Sequence, residues 1–223
     1  MKKKNLALFD LDDTLFDGDT EGEWVKYMDQ AGLIQDPEFF SKMESFGKSY
    51  RQGDLNVDEY SEFLLSPLVG KNLKELEDKI DIFTSDVIDR LTDELTEELL
   101  LKHRDDTKIL TSGSLTFLVK VIGQKMGIET CFGTDPDYKD NVFTGKVEGS
   151  PNFSEEKVRR IKIWMQSNHF EKIFAYSDSI HDLPLLEFSD IPMAISPDKK
   201  LLKVAEERKW MVEGRRNTTR SLP

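Results

Sequence analysis

Short, unbroken apolar runs alternate along this chain with longer stretches in which apolar residues return every three or four positions. Leu6-Ala7-Leu8-Phe9 is the first such run, and Asp10-Leu11-Asp12-Asp13 closes it at once. A run without alternation predicts a strand buried on both faces, as in a parallel sheet. "TKILTSGS", with Ile109-Leu110, "KIFAYSDS" and "IPMAI" have the same form. Between residues 17 and 103 the pattern is helical, in "EGEWVKYMDQAGLI", "VDEYSEFLLSPLVG", "LKELEDKIDIF" and "VIDRLTDELTEELLLKH". In the last segment Val87, Leu91, Leu95 and Leu99 recur at steps of four, which predicts one amphipathic helix. Further on, "LTFLVKVIGQKMGI" predicts a helix closing at Gly127. Asp135-Pro136 and Asp140-Asn141 mark turns of short strands and a hairpin. Ser154 is a candidate N-cap for "SEEKVRRIKIWMQSNH", "DLPLLEFS" is a short helix, and another helix is expected from about Asp198 to Lys209. The final "EGRRNTTRSLP" has no period and is expected to be loose.

Strands and helices thus alternate at both ends of the chain around an all-helical insert. That is the pattern of a parallel α/β sheet with helices on both faces. Ligand sites in such folds lie beyond the carboxyl ends of the strands. Three of those ends are polar here: Asp10-Leu11-Asp12, Thr111-Ser112-Gly113-Ser114 and Ser177-Asp178-Ser179. They point to one convergent site.

Composition narrows the function classes. With 223 residues, 38% of them hydrophobic and 33% charged, the chain suits one large domain or a core carrying a smaller insert. A net charge of −12 argues against a nucleic-acid binder, since phosphate backbones demand a basic surface. No apolar run reaches the length of a membrane span. Met1-Lys2-Lys3-Lys4 is basic, but the apolar stretch after it stops at Asp10, too soon for a secretory signal, so a cytoplasmic protein is expected. Cys131 is the single cysteine; it excludes an internal disulfide and reads as a small buried residue.

Side chains two apart on an extended segment point the same way. Asp10 and Asp12 should therefore face one crevice together, which suits either a hard divalent cation or an acid/base pair with split pKa values. Asp178, from another strand end, would complete an oxygen cage best matched to Mg²⁺. A calcium loop fails on "DLDDTLFDGDTE", where Leu15 occupies the position that requires glycine. Asp13 reads as a solvated neighbour, His103 and His169 as structural residues, and Trp24, Trp164 and Trp210 as packing anchors.

Asp10-x-Asp12-x-Thr14 after a first strand, Ser112 after a second, Lys157 opening a helix and Asp178-x-x-x-Asp182 after a third closely resemble the four motifs of the haloacid dehalogenase-like hydrolases. The order agrees, and the match covers the chain apart from the helical insert. That insert and "FTGKVEG" resemble the phosphoserine-phosphatase-like branch with its helical cap. The resemblance implies a Rossmann-like three-layer core built from residues 1–16 and 104–223, with a helical cap over 17–103. It implies an Mg²⁺-dependent phosphatase acting on a small phosphomonoester through an aspartyl-phosphate on Asp10, with Asp12 as acid and base. Asp10, the Asp12 backbone carbonyl and Asp178 would hold Mg²⁺, Lys157 would neutralise charge, and Ser112 with the Gly113 N–H would bind phosphate. Asp182 would hold Lys157 or the metal shell in place. Lys146 lies in the same interval as Lys157, which is favoured because it begins a helix after "VEG". The last motif departs from the usual phosphoserine phosphatase form and looks like a set of which some members act on histidinol phosphate. Asp19 stands where phosphoserine phosphatases carry the glutamate that meets a substrate amine, and Arg51 is the sole arginine between residues 17 and 89 that could meet a carboxylate. A phosphotransferase or mutase, and a non-catalytic metal-binding scaffold, stay as alternatives.

Overall fold

In the computed structural model, residues 4–166 and 168–215 are described. Strand β1 (Leu6–Phe9) lies at the centre of a six-stranded parallel sheet of order β3-β2-β1-β6-β7-β8. The other members are β2 (Thr107–Leu115), β3 (Thr130–Thr134), β6 (Ile173–Ser177), β7 (Ile191–Ile195) and β8 (Met211–Glu213). The absence of alternation in β1 is explained by its two faces. Ala7 and Phe9 join one apolar cluster, with α6 (Thr116–Lys125), while Leu6 and Leu8 join a second. That second cluster holds residues of α7 (Glu155–Met165), α8 (Leu183–Phe188) and α9 (Lys199–Arg208). Two apolar faces and two helical coats make the three layers of the expected Rossmann-like core. β1 pairs with β2 on one side and β6 on the other, so the order reverses at β1 and opens the crevice beside its carboxyl end.

Between β1 and β2 the chain forms α1 (Thr20–Gln30), α2 (Phe39–Gln52), α3 (Val57–Leu65), α4 (Leu73–Leu91) and α5 (Glu94–Lys102). Trp24 of α1 stacks on Tyr27 and meets Phe83 and Phe117 edge-on, so the first cluster runs without a break from the sheet into the insert. The single helix expected over Val87–Leu99 is two. α4 ends at Leu91, and Asp93 caps α5 by accepting the Thr96 N–H at 2.9 Å while Thr96 Oγ1 accepts the Asp93 N–H. This reciprocal box satisfies the orphan donors of a new helix start and overrides the apolar period. The expected hairpin is present as β4 (Pro136–Lys139) and β5 (Val142–Val147). Its turn, Asp140-Asn141, has φ of 55° and 64°, the mirror-image turn whose twist suits two strands. Ser154 precedes α7 as expected but makes no side-chain capping bond. β8 was not apparent in the sequence. It is short and exposed throughout, so no apolar pattern signals it. The tail expected to be loose from Glu213 is ordered at its start, where Glu213 ends β8 and Arg215 is buried; from Arg216 onward it lies outside the described residues. Among the described residues no helix is long and apolar enough to cross a membrane.

Candidate active site

Beyond the carboxyl ends of β1, β2 and β6 lies a cavity of about 370 Å³. It is lined by Asp10, Asp12, Ser112, Gly113, Lys157, Asp178 and Asp182, all the core positions singled out in the sequence, and by Asp19 and Arg51 from the insert. β1 delivers Asp10 in extended backbone (φ −71°, ψ 161°), after which the chain turns through Asp12 and a left-handed Asp13 (φ 52°). Lys157 opens α7 and is only 4% exposed. Its Nζ donates to Asp10 Oδ1 at 2.7 Å and to Asp182 Oδ2 at 2.8 Å. Desolvation alone would lower its pKa, but the two carboxylates outweigh burial and hold the ammonium well above its ordinary value. Lys146, the other candidate, instead pairs with Glu62 at the surface.

The Asp12 carboxylate faces the insert. Its Oδ1 accepts the Thr20 N–H at 2.6 Å and the Thr20 hydroxyl, and its Oδ2 accepts from Ser112 Oγ at 3.1 Å and Ser114 Oγ at 3.2 Å. Despite these donors, burial followed by the charges of Asp19 and Asp10 pushes Asp12 up to about 7. Asp10 is pushed up to about 6 by burial, against the pull of Lys157. Asp178 accepts from Thr14 Oγ1 at 3.1 Å and stands well above the usual carboxylate range, through burial and then repulsion from Asp10, Asp13 and Asp182. Asp13 thus lines the cavity rather than standing apart in solvent.

β2 bulges where it meets the cavity. Thr111 pairs with Phe132 and Leu115 with Thr134, so Ser112-Gly113-Ser114 oppose Gly133 alone. A Cβ on Gly133 would sit 2.6 Å from the Ser114 carbonyl oxygen, which is why that strand carries glycine there. Asn152, fully buried, clamps the bulge through Nδ2 donations to Thr111 Oγ1 at 3.0 Å and to the Ser112 carbonyl at 2.9 Å.

A cation fits the donor chemistry. Asp10 and Asp178 are oxygen donors that burial holds above the usual carboxylate range, with repulsion among the neighbouring carboxylates adding to it and Lys157 opposing it at Asp10. Among the described residues no three acid, histidine or cysteine side chains form a closed cage, so carbonyl, water or substrate oxygens would complete the shell.

Over the cavity, Asp19 accepts the Glu21 and Gly22 N–H groups and so caps α1, an additional duty for that residue. Arg51 is exposed at the rim. Sequence reasoning missed Glu21, whose Oε2 accepts from Tyr60 Oη at 3.1 Å and which burial, Asp19 and Asp12 push up to about 8. Missed too were Phe46, Tyr50, Phe153 and His181. The His181 ring lies 5.1 Å from Tyr50 and 4.9 Å from Phe153. Phe46 and Tyr50 lie on α2, which the sequence pattern does not mark, and Phe153 and His181 lie outside any periodic segment, so none of the four carries a signal. His103 is buried and His169 exposed, both away from the cavity lining.

Residues 7–187 match the family model of the haloacid dehalogenase-like hydrolases. The histidinol-phosphatase of Neisseria meningitidis is 32% identical over 218 residues, covering 94% of this chain and 98% of the relative. The phosphoserine phosphatase of Methanocaldococcus jannaschii is 26% identical over 207 residues, 91% of this chain and 90% of its own. A Bordetella pertussis protein of unknown function has a similar structure, with a TM-score of 0.86 at 30% identity over 95% of this chain and 99% of that one. A substrate-bound phosphoserine phosphatase shares the fold at a TM-score of 0.65 and 24% identity, covering 97% and 96% of the two chains. With polar strand ends converging at the switch point of its sheet, this chain is an enzyme that belongs to the haloacid dehalogenase-like hydrolase family.

Proposed function

We propose that the protein is an Mg²⁺-dependent, cytoplasmic phosphomonoesterase for a small phosphorylated metabolite carrying a cationic group. The observation that carries this reading is the triad Asp10–Lys157–Asp182 beside Asp12 and the β2 bulge. Asp10 attacks phosphorus in line; the P–O bond to the leaving alcohol breaks, and that oxygen takes the proton of Asp12. Water then attacks phosphorus of the aspartyl-phosphate while Asp12 takes a proton from that water, and the P–O bond to Asp10 breaks to release phosphate and the free carboxylate. Asp12, pushed up to about 7, is suited to carry a proton in one step and accept it in the next. Mg²⁺ bound by Asp10, Asp178 and the Asp12 carbonyl would offset the charge of nucleophile and phosphate. Lys157 neutralises a second share of that charge, and Asp182 keeps its ammonium aimed at Asp10. Ser112 and the Gly113 N–H receive phosphate oxygens.

The substrate wall argues for the cationic group. Asp19 and Glu21 face the cavity with Tyr60, beside Phe46, Tyr50 and Phe153, an arrangement that suits an ammonium and a flat ring. Histidinol phosphate has both, and the Neisseria relative is named for it. O-phosphoserine has the ammonium but no ring, and carries a carboxylate for which Arg51 is the available partner. Turnover of a panel including both compounds, with and without Mg²⁺, tests the reading. Asp10→Asn is expected to abolish phosphate release, and retained release would discard the nucleophile. Glu21→Gln is expected to raise KM more for an amine-bearing ester than for an aryl phosphate.

A further inference from the structure

Arg215 takes no part in the site described above. It follows β8 at the far edge of the sheet and is 201 positions from Thr14, yet its side chain is only 2% exposed. Nη2 donates to the Thr14 carbonyl oxygen at 2.5 Å. Nη1 lies 2.5 Å from Asp93 Oδ1, and Nε lies 4.0 Å from Asp17 Oδ1. Its own N–H donates to Ser196 Oγ at 3.2 Å, which ties the segment to the end of β7. Burying a guanidinium is expensive in free energy unless its donors find acceptors. Here Nε and Nη1 make no hydrogen bond, and the acceptor that Nη2 finds is a carbonyl of the loop that leaves β1.

That loop needs an external brace. Its Asp12 and Asp13 have φ, ψ of −72°, 134° and 52°, 2°, so no helical ladder runs through it. Two consecutive carbonyls are held from outside: Thr14 by Arg215, and Leu15 by Thr96 Oγ1 at 2.5 Å. Thr14 is fully buried, and its hydroxyl donates to Asp178 Oδ1 at 3.1 Å and accepts the Asp178 N–H at 2.9 Å. A guanidinium can donate to the Thr14 carbonyl through one nitrogen while a second sits against the Asp93 carboxylate, as an ammonium cannot.

We propose that Arg215 is a positioning residue: by fixing the Thr14 carbonyl it aims the Thr14 hydroxyl at Asp178 and so sets that carboxylate for cation binding. This rests on the phosphatase reading above. The test compares Arg215→Met and Arg215→Lys with Ile128→Ala, a buried substitution ahead of β3 at the opposite end of the sheet. In Arg215→Met the Mg²⁺ concentration giving half-maximal turnover of p-nitrophenyl phosphate should rise about tenfold, the scale seen when an outer partner of a metal ligand is lost. The rise in unfolding temperature produced by Mg²⁺ with beryllofluoride should shrink, and amides of residues 11–18 should exchange faster. Arg215→Lys should regain much of the lost unfolding temperature through Asp93, but little of the Mg²⁺ response. Ile128→Ala should lose stability with the Mg²⁺ response intact. The proposal is overturned if Arg215→Met matches the unaltered protein in Mg²⁺ response and exchange, or behaves as Ile128→Ala does. If Arg215→Met does not fold, an unchanged Mg²⁺ response in Arg215→Lys overturns it. If the unaltered protein hydrolyses no phosphomonoester, the phosphatase reading fails. Amide exchange then still decides whether Arg215 holds the loop, and unchanged exchange ends the proposal.

Discussion

His103 shows how a single buried group ties stability to pH. Its ring is enclosed by Phe9, Phe174 and Tyr176, and both nitrogens are committed. Nδ1 lies 2.8 Å from Asp106 Oδ2 and Nε2 lies 2.6 Å from Tyr176 Oη. Because a carboxylate only accepts, Nδ1 carries the proton and Nε2 receives the tyrosine hydroxyl, an arrangement satisfied by the neutral ring. Burial lowers its pKa below 6.5, outweighing the charge of Asp106. The unfolded chain therefore binds this proton more readily than the folded one, and stability must fall as pH drops. The contribution is complete above about 6.5 and is lost as pH falls from there through the folded value. Denaturant midpoints between pH 7.5 and 5 are expected to fall more steeply for the unaltered protein than for His103→Gln, and parallel profiles would contradict this account. The sequence marked His103 as structural because it shares no ligand spacing. It did not reveal the Tyr176 bond, since those residues lie 73 positions apart.

At the scale of elements, the β2 bulge joins fold to chemistry. Three residues facing one neighbour force β2 outward at Ser112–Ser114, and the absence of a Cβ on Gly133 lets β3 pass beneath. Gly133→Ala would drive a methyl group within 2.6–2.7 Å of Ser114 and Thr116 backbone atoms. The expected outcome is a loss of about 1–3 kcal/mol in urea unfolding, together with a raised KM, because the displaced loop carries Ser112 and Gly113, the proposed phosphate donors. A KM unchanged at reduced stability would separate the bulge from phosphate binding. Much of this level was legible in the sequence: the apolar runs of β1, β2, β6 and β7, the turn at Asp140-Asn141, and the polar strand ends that meet in one cavity. Elements set by local polar bonds or by edge pairing were not. The Asp93–Thr96 box divided an apparently continuous helix, β8 carries no buried residue, and Arg215 gains its importance from contacts 201 positions away. Glu21 and Tyr60 looked like ordinary helix residues because an apolar period cannot separate a cavity wall from a core face.

At the scale of the whole molecule, the insert does not behave as one separately cored body. α1, α4 and α5 share the apolar cluster that runs through the sheet, and Thr96 of α5 holds the loop after β1. α2 differs, since Phe39 is its one buried residue. Its reach to the opposite side of the cavity consists of Tyr50, whose hydroxyl lies 3.5 Å from Ser179 Oγ and whose ring lies against His181. Helices with few buried contacts open at low free-energy cost, and lids are drawn from such segments. The expected moving part of the helical insert is therefore α2, hinged on the Phe39–Phe63 stack, while the rest stays with the core. Amides of α2 should exchange with solvent far faster than those of α4, which buries Leu76, Ile80, Phe83, Val87 and Leu91. Adding Mg²⁺ with beryllofluoride should slow α2 selectively, because an occupied cavity gives Phe46, Tyr50 and Arg51 a surface to close upon. Uniform slowing across α1–α5 would instead mean that the whole insert closes as a unit, and the continuity of the apolar cluster would have to break for it to do so.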